Sequence, residues 1–227
     1  MLYLARAAAA LCLALVPLAA YAAKEQRVVE LLFETRHLDL IDKGSEVTYR
    51  FEKRGSDERL VGKDHDDELR LGVSSVNGNG ERDVVFRVFT GSEARDPQNW
   101  PDLTINPLFV WYLDRSVTTF RYLAGGDARY LKVKFQAALR EGAKLEEIKY
   151  DLNGKTIDAY KVTIRPFAKD WRNQNKMQGF ENSRFTIVVS EQAPGYFVDL
   201  ESDFVSTQSA APSIKEKVTL VGMGETQ

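Results

Sequence analysis

The sequence predicts an α+β fold: a curved, mostly antiparallel, half-barrel-like sheet packed around a central amphipathic helix, with an N-terminal helix. Three observations point there. Downstream of residue 45 most segments alternate apolar and polar residues as half-buried strands do, with Asn-Gly reversals at 77–80 and 153–154. One long stretch, Asn106 to Gly126, instead repeats its apolar residues every three or four positions. Lys24 to His37 shows the same helical period, with Val28, Val29, Leu31, Leu32 and Phe33 on one face and Arg27, Glu30, Glu34 and His37 on the other.

Ahead of these elements, residues 1–22 carry Arg6 alone as a charge, then an apolar run from Ala7 to Leu18 that includes Pro17, then Ala20-Tyr21-Ala22 with small residues where signal peptidase reads. This predicts a secretory signal peptide cut after Ala22. A membrane anchor needs roughly 20 apolar residues, more than this run supplies. A lipoprotein reading through Cys12, the chain's single cysteine, would put Leu11 where a small residue belongs. The expected location is periplasmic or secreted, with no transmembrane segment in the mature chain. Cleavage removes 22 of 227 residues and leaves 205, which suits one domain over 23–205, with 206–227 as a linker and possible terminal edge strand. Arg6 is the only charge lost, so 31 basic residues become 30 against 33 acidic ones, a net −3. That balance argues against nucleic acid and against docking on anionic lipid by charge alone. Without cysteine the mature chain has no disulfide, thiol nucleophile or thiolate metal site.

Along the chain, Glu46 to Lys53 reads as a strand with Val47, Tyr49 and Phe51 on one side. The polar run Gly55–Glu68 centres on Lys63-Asp64-His65-Asp66-Asp67-Glu68, which lacks the glycine and closing glutamate of a calcium loop and reads as a solvated turn. Leu69 to Val73 and Arg82 to Thr90 flank the Asn77–Gly80 reversal; the second is apolar on both faces and is expected centrally in the sheet. Gly91 to Thr104 is expected as a loop whose Trp100 plugs one end of the barrel. In the central helix, Asn106 caps, Pro107 suits the first position and Gly125-Gly126 ends it. Its buried arc is read as Phe109, Val110, Tyr112, Leu113, Val117, Phe120, Leu123 and Ala124. Trp111 and Tyr122 sit toward the polar side, with Arg115 placed to lie over Trp111. Asp127–Arg140 suits a helix capped by Asp127, although Leu131, Val133 and Phe135 also alternate as a strand would; helix is preferred. Leu145–Leu152 and Lys155–Arg165 form a hairpin about Asn153-Gly154, with Tyr160, Val162 and Ile164 inward. Phe167 to Gly179 reads as a loop or short helix, Arg184–Ser190 and Tyr196–Val205 as strands, and Ile214–Val221 as an edge strand guarded by Lys215, Glu216 and Lys217.

The chemistry is sparse. The two histidines, His37 and His65, adjoin neither a Gly-x-Ser-x-Gly elbow nor a His-Glu-x-x-His helix, and no glycine-rich loop frames a phosphate. No catalytic residue, metal site or cofactor is expected. The order of elements, an amphipathic helix, long strands, a proline-initiated apolar helix and further hairpins, resembles the periplasmic lipoprotein-carrier (LolA-like) superfamily, an unclosed β-barrel with helices on its concave side. Arg165-Pro166-Phe167 and Ala193-Pro194-Gly195 are similar to segments of uncharacterised secreted bacterial proteins, which implies no activity. The resemblance implies a non-enzymatic periplasmic protein that binds a hydrophobic ligand, a lipid or a lipoprotein, in the concave sheet face. Phe109, Trp111, Leu113, Val117 and Phe120 are its candidate ligand-binding residues. An envelope interaction protein with a filled core, contacting a protein partner through Gly91–Thr104 and Phe167–Gly179, is the alternative. A hydrolase with converging carboxylates comes third.

Overall fold

The computed structural model describes residues 25–226, so the leader reading of 1–22 lies outside the described residues. Among these, nine strands form one open, curled antiparallel sheet in the order β4-β3-β2-β1-β9-β8-β7-β6-β5. They are β1 (Ser45–Gly55), β2 (His65–Val76), β3 (Arg82–Val88), β4 (Gln98–Leu103), β5 (Lys144–Leu152), β6 (Lys155–Ile164), β7 (Arg184–Val189), β8 (Phe197–Phe204) and β9 (Ile214–Glu225). The helices are α1 (25–34, its last turn a π-turn over Glu30–Glu34), α2 (Glu58–Val61), α3 (Leu108–Ala124) and α4 (Ala128–Glu141). Asp127–Arg140 is therefore helical, and Asp127 caps it by accepting from the Tyr130 N–H.

The last strand is not at an edge. β9 pairs with β1 from Gly55↔Ile214 to Ser45↔Glu225 and with β8 on its other side, so it joins the two halves of the sheet. The charges read as edge guards do other work. Lys215 and Lys217 pair across the strand with Glu201 (3.0 Å) and Asp199 (2.9 Å), and Glu216 points into the core. The edge beyond β3 is β4, inside the segment expected as a loop, which leaves β3 second from the edge rather than central. Trp100 lies on β4 and is 42% exposed rather than plugging the barrel; Pro101 is tolerated there because an edge strand need not donate on its free side.

The core face of α3 is rotated from its apolar arc. Phe109, Tyr112, Ser116, Thr119, Phe120 and Leu123 are buried, whereas Val110 is half exposed. The reason is polar matching. Ser116 Oγ meets Ser202 Oγ at 2.8 Å, Tyr112 donates to the Glu201 carbonyl (2.7 Å), Thr119 donates to Glu216 (3.1 Å), and Arg115 reaches Glu216 through Nε (2.9 Å) and Nη2 (2.7 Å). A hydrophobicity wheel cannot anticipate hydroxyls and a carboxylate on the sheet beneath. Arg115 accordingly lies over the Phe51 ring (5.2 Å), not over Trp111. Aromatic rings carry the packing onward: Phe120 meets Phe167 (4.1 Å), Phe135 of α4 meets Phe185 (4.6 Å), and Phe185 meets Phe204 (5.4 Å).

The entry to α3 is a buried polar knot. Asn106 Oδ1 accepts from the Leu108 N–H (3.0 Å), its Nδ2 donates to Tyr49 Oη (2.9 Å) and to the Gly195 carbonyl (2.8 Å), and its backbone N–H donates to His37 Nδ1 (3.3 Å). His37, expected on the outer face of a longer first helix, instead follows that helix. It is buried and stacked on Tyr196 at 4.5 Å, with Nε2 donating to the Leu31 carbonyl (3.1 Å). Phe33, expected inside, is 42% exposed and edges against Phe109. Gly195 has φ +74° and packs so closely on Tyr49 that an added Cβ would collide with its hydroxyl.

Two outcomes follow from this knot. Asn106→Ala orphans three buried groups and is expected to destabilise the protein by about 3 kcal/mol or more, read from urea midpoints. His37 is held down to about 4, first by burial and against the raising effect of the Leu31 carbonyl. Protonation would also turn Nδ1 into a donor facing the Asn106 N–H. The unfolded chain, near 6.5, binds the proton first, so the contribution is full above that value and is lost as pH falls toward 4, to about 3 kcal/mol. His37→Gln is expected to lose less stability than the natural chain between pH 7.5 and 4.5.

Candidate functional site

The largest cavity among the prominent ones lies on the sheet face away from α3. Strand alternation shows why it exists. In β6, Val162 and Ile164 face the core, while Ile157 and Ala159 are buried on the opposite face, so the strand changes its buried side near Tyr160. Tyr160 itself, expected inward, is only half buried. The β5–β6 hairpin thus folds over the polar face of β7–β9. Tyr150 Oη on β5 reaches Asp199 Oδ2 on β8 at 3.3 Å, although two strands lie between them, and Asn153 at the hairpin turn donates to the Val221 carbonyl (2.8 Å). A flat sheet would hold those strands about 14 Å apart, so the sheet must curl here.

The result is a trough of about 1010 Å³. Its wall is Ile148 and Tyr150 of β5; its floor includes Lys161, Thr163, Thr186, Val188 and Glu201. At the end where β6 stops and β5 and β7 start, Ala137 and Ala138 of α4 line it together with Pro166, Ala168, Lys169 and Asp170. Most of the lining charges are paired. Asp170 is held by Lys134 (3.4 Å), Glu146 by Lys144 (2.8 Å), Glu201 by Lys215 (3.0 Å) and Asp199 by Lys217 (2.9 Å), while Arg184 pairs with Asp203 (3.1 Å) and Glu141 is engaged as well. Burial pushes the Asp199 carboxyl up against the pull of Lys217. Burial also opposes charge on Lys217, but the contact with Asp199 outweighs it and its pKa is raised. Glu146 is held low by its hydrogen bond to Lys144, helped by the nearby charges of Lys144 and Lys161.

The five residues expected to line a slot are elsewhere. Phe109, Val117 and Phe120 are buried in the core, Trp111 and Leu113 pack partly buried against it, and none of the five lines the trough. Trp111 edges against Phe51 and Phe89 in an aromatic group that also takes in His65. The acidic run, expected as a solvated turn, instead enters β2 at His65, and it is internally engaged: Asp66 pairs with Arg54 (2.7 Å), Asp67 with His65 (3.2 Å), and Asp64 accepts from the Gly55 N–H. The trough residues do not stand out in the sequence because they come from four strands, a helix and the segment after β6, none of them forming a motif. The one signal was apolar residues in both alternation phases of a single strand, Ile157 and Ala159 against Val162 and Ile164.

No family model matches the chain, and no curated protein matches it. Among solved structures it is similar to the Mycobacterium tuberculosis lipoprotein LppX, with 14% identity over 88% of this chain and 93% of that one and a TM-score of 0.30. So loose a superposition says nothing about ligand; the chain's own geometry has to.

Tyr150 closes the trough mainly with its ring. Tyr150→Phe is expected to change stability by less than about 1 kcal/mol, because the hydroxyl bond is long and half exposed, whereas Tyr150→Ala costs about 2 kcal/mol. Amide exchange across the β5–β6 turn should quicken only in the alanine variant.

Proposed function

We propose that this chain is an exported, non-enzymatic binding protein that holds a hydrophobic ligand, a lipid or the acyl part of a lipidated partner, in the trough beneath the β5–β6 hairpin. The observation that carries this reading is the trough itself: Ile148, Tyr150 and Val188 enclose space on a sheet face that also presents Lys161, Thr163, Thr186 and Glu201. Its volume suits a small-molecule site, and each methylene buried there contributes about 0.8 kcal/mol before the cost of ordering the ligand. The ligand thereby moves from the face of α3, where the side chains already fill the space, to the opposite face of the same sheet. Export rests on the reading of residues 1–22 and Ala20-Tyr21-Ala22. A binding role is supported by the histidines, since His37 is locked between backbone groups and His65 is paired with Asp67.

Exposed aromatics favour the second reading, contact with an envelope protein. Trp171 is 71% exposed with Arg172 over its ring (4.9 Å), and Trp100 lies open on the β4 edge.

Native mass spectrometry of the exported protein separates the two. A lipid-sized adduct is expected on the natural chain and on Val133→Glu, an exposed α4 position outside the trough, but not on Ile148→Glu. An adduct that survives Ile148→Glu in a folded protein overturns the trough. A defined protein partner lost on Trp171→Ala, with no adduct, establishes the second reading instead.

A further inference from the structure

Resting on the trough reading above, we infer that the ligand is a single-chain amphiphile with an anionic head, a carboxylate or phosphate monoester, held tail toward the hairpin turn and head toward α4. The trough is polarised along its length. At the hairpin end the lining is Tyr150 and Ile148, backed by the buried Ile157 and Ala159 that pair with them on β6, and the one charge there, Asp199, is engaged by the tyrosine hydroxyl and Lys217. Two residues further along the same face of β6 comes Lys161, then Thr163, and Arg165 follows just past the end of the strand. Alternate residues of a strand are about 6.6 Å apart, so a hydroxyl is flanked on both sides by cations within reach of one head group. Lys169, in the segment that follows, lines the same end.

These three cations differ from the rest of the lining. The trough's carboxylates are already engaged, as described above, whereas no ion pair to Lys161, Arg165 or Lys169 occurs among the described residues. Lys161 shares the Glu146 carboxylate only at long range, and that carboxylate is bonded to Lys144. Cations gathered at one mouth of an apolar trough complement an anion attached to a hydrocarbon tail, because the tail fixes where the head must sit. A neutral lipid would gain nothing from them.

The test uses 11-(dansylamino)undecanoate and its neutral methyl ester, titrated by fluorescence into the mature protein in low salt. The acid is expected to bind about tenfold tighter than the ester, from three exposed or half-exposed charge contacts. Lys161→Gln/Arg165→Gln/Lys169→Gln should weaken the acid about tenfold and leave the ester unchanged. Displacement by dodecanoate against dodecyl phosphate tells which head is preferred. Equal affinity for acid and ester, or acid binding untouched by the triple variant, overturns the inference while leaving the trough standing. If neither probe binds, the trough reading fails with it. Should the triple variant not fold, salt serves in its place: the acid's affinity must fall between 20 mM and 500 mM NaCl while the ester's holds.

Discussion

The side-chain amide of Asn106 is the constraint on which the rest of the structure hangs. It sits where the N-terminal segment, β1, the β7–β8 turn and the start of α3 meet, and it serves a hydroxyl, a carbonyl and a helix N–H at once. An amide has two donors and an acceptor that can point in different directions, which an aspartate or a serine lacks. Burial makes the arrangement exacting, since each of those groups would otherwise be desolvated without a partner. The left-handed glycine at 195 completes it, because any side chain there would push Tyr49 away. With α3 fixed at its first turn, the Ser116–Ser202 contact and the Arg115–Glu216 pair fix its rotation over β8 and β9.

Much of the fold could be read from the residues themselves. Asn153-Gly154 gives the β5–β6 reversal, Gly125 with φ +76° ends α3, and Asp127 opens α4, because these are local devices whose physics is contained in a few neighbouring positions. Strand order is different in kind. Whether Ile214–Glu225 lies at an edge or in the middle depends on what pairs with its backbone, and Lys215, Glu216 and Lys217 look alike as edge guards or as members of cross-strand and core ion pairs. His37 is another such case: its position on a helical wheel says outward, but the helix stops before it and the chain turns it in.

The site was less legible than the fold. Residues such as Lys161, Thr163 and Thr186 are ordinary outward positions of strands, and they become a trough only because the hairpin bends back across them. The apolar residues that drew notice in α3 pack into or against the core, with Phe120 on Phe167, and Ser116 and Thr119 share that buried face. The trough is built from mixed residues on a surface that sequence periodicity marks as solvent.

The placement of β9 has a consequence for how the molecule comes into being. β1–β4 and β5–β8 are each formed from neighbouring stretches, but they share a common hydrogen-bonded ladder only through a strand that follows all of them in the chain. Until that strand is available, β1 and β8 both present unpaired backbone edges to water or to other chains. That strand is the keystone of the vault: the two half-sheets become one ladder only through pairing across a long sequence separation, the kind of closure that slows folding.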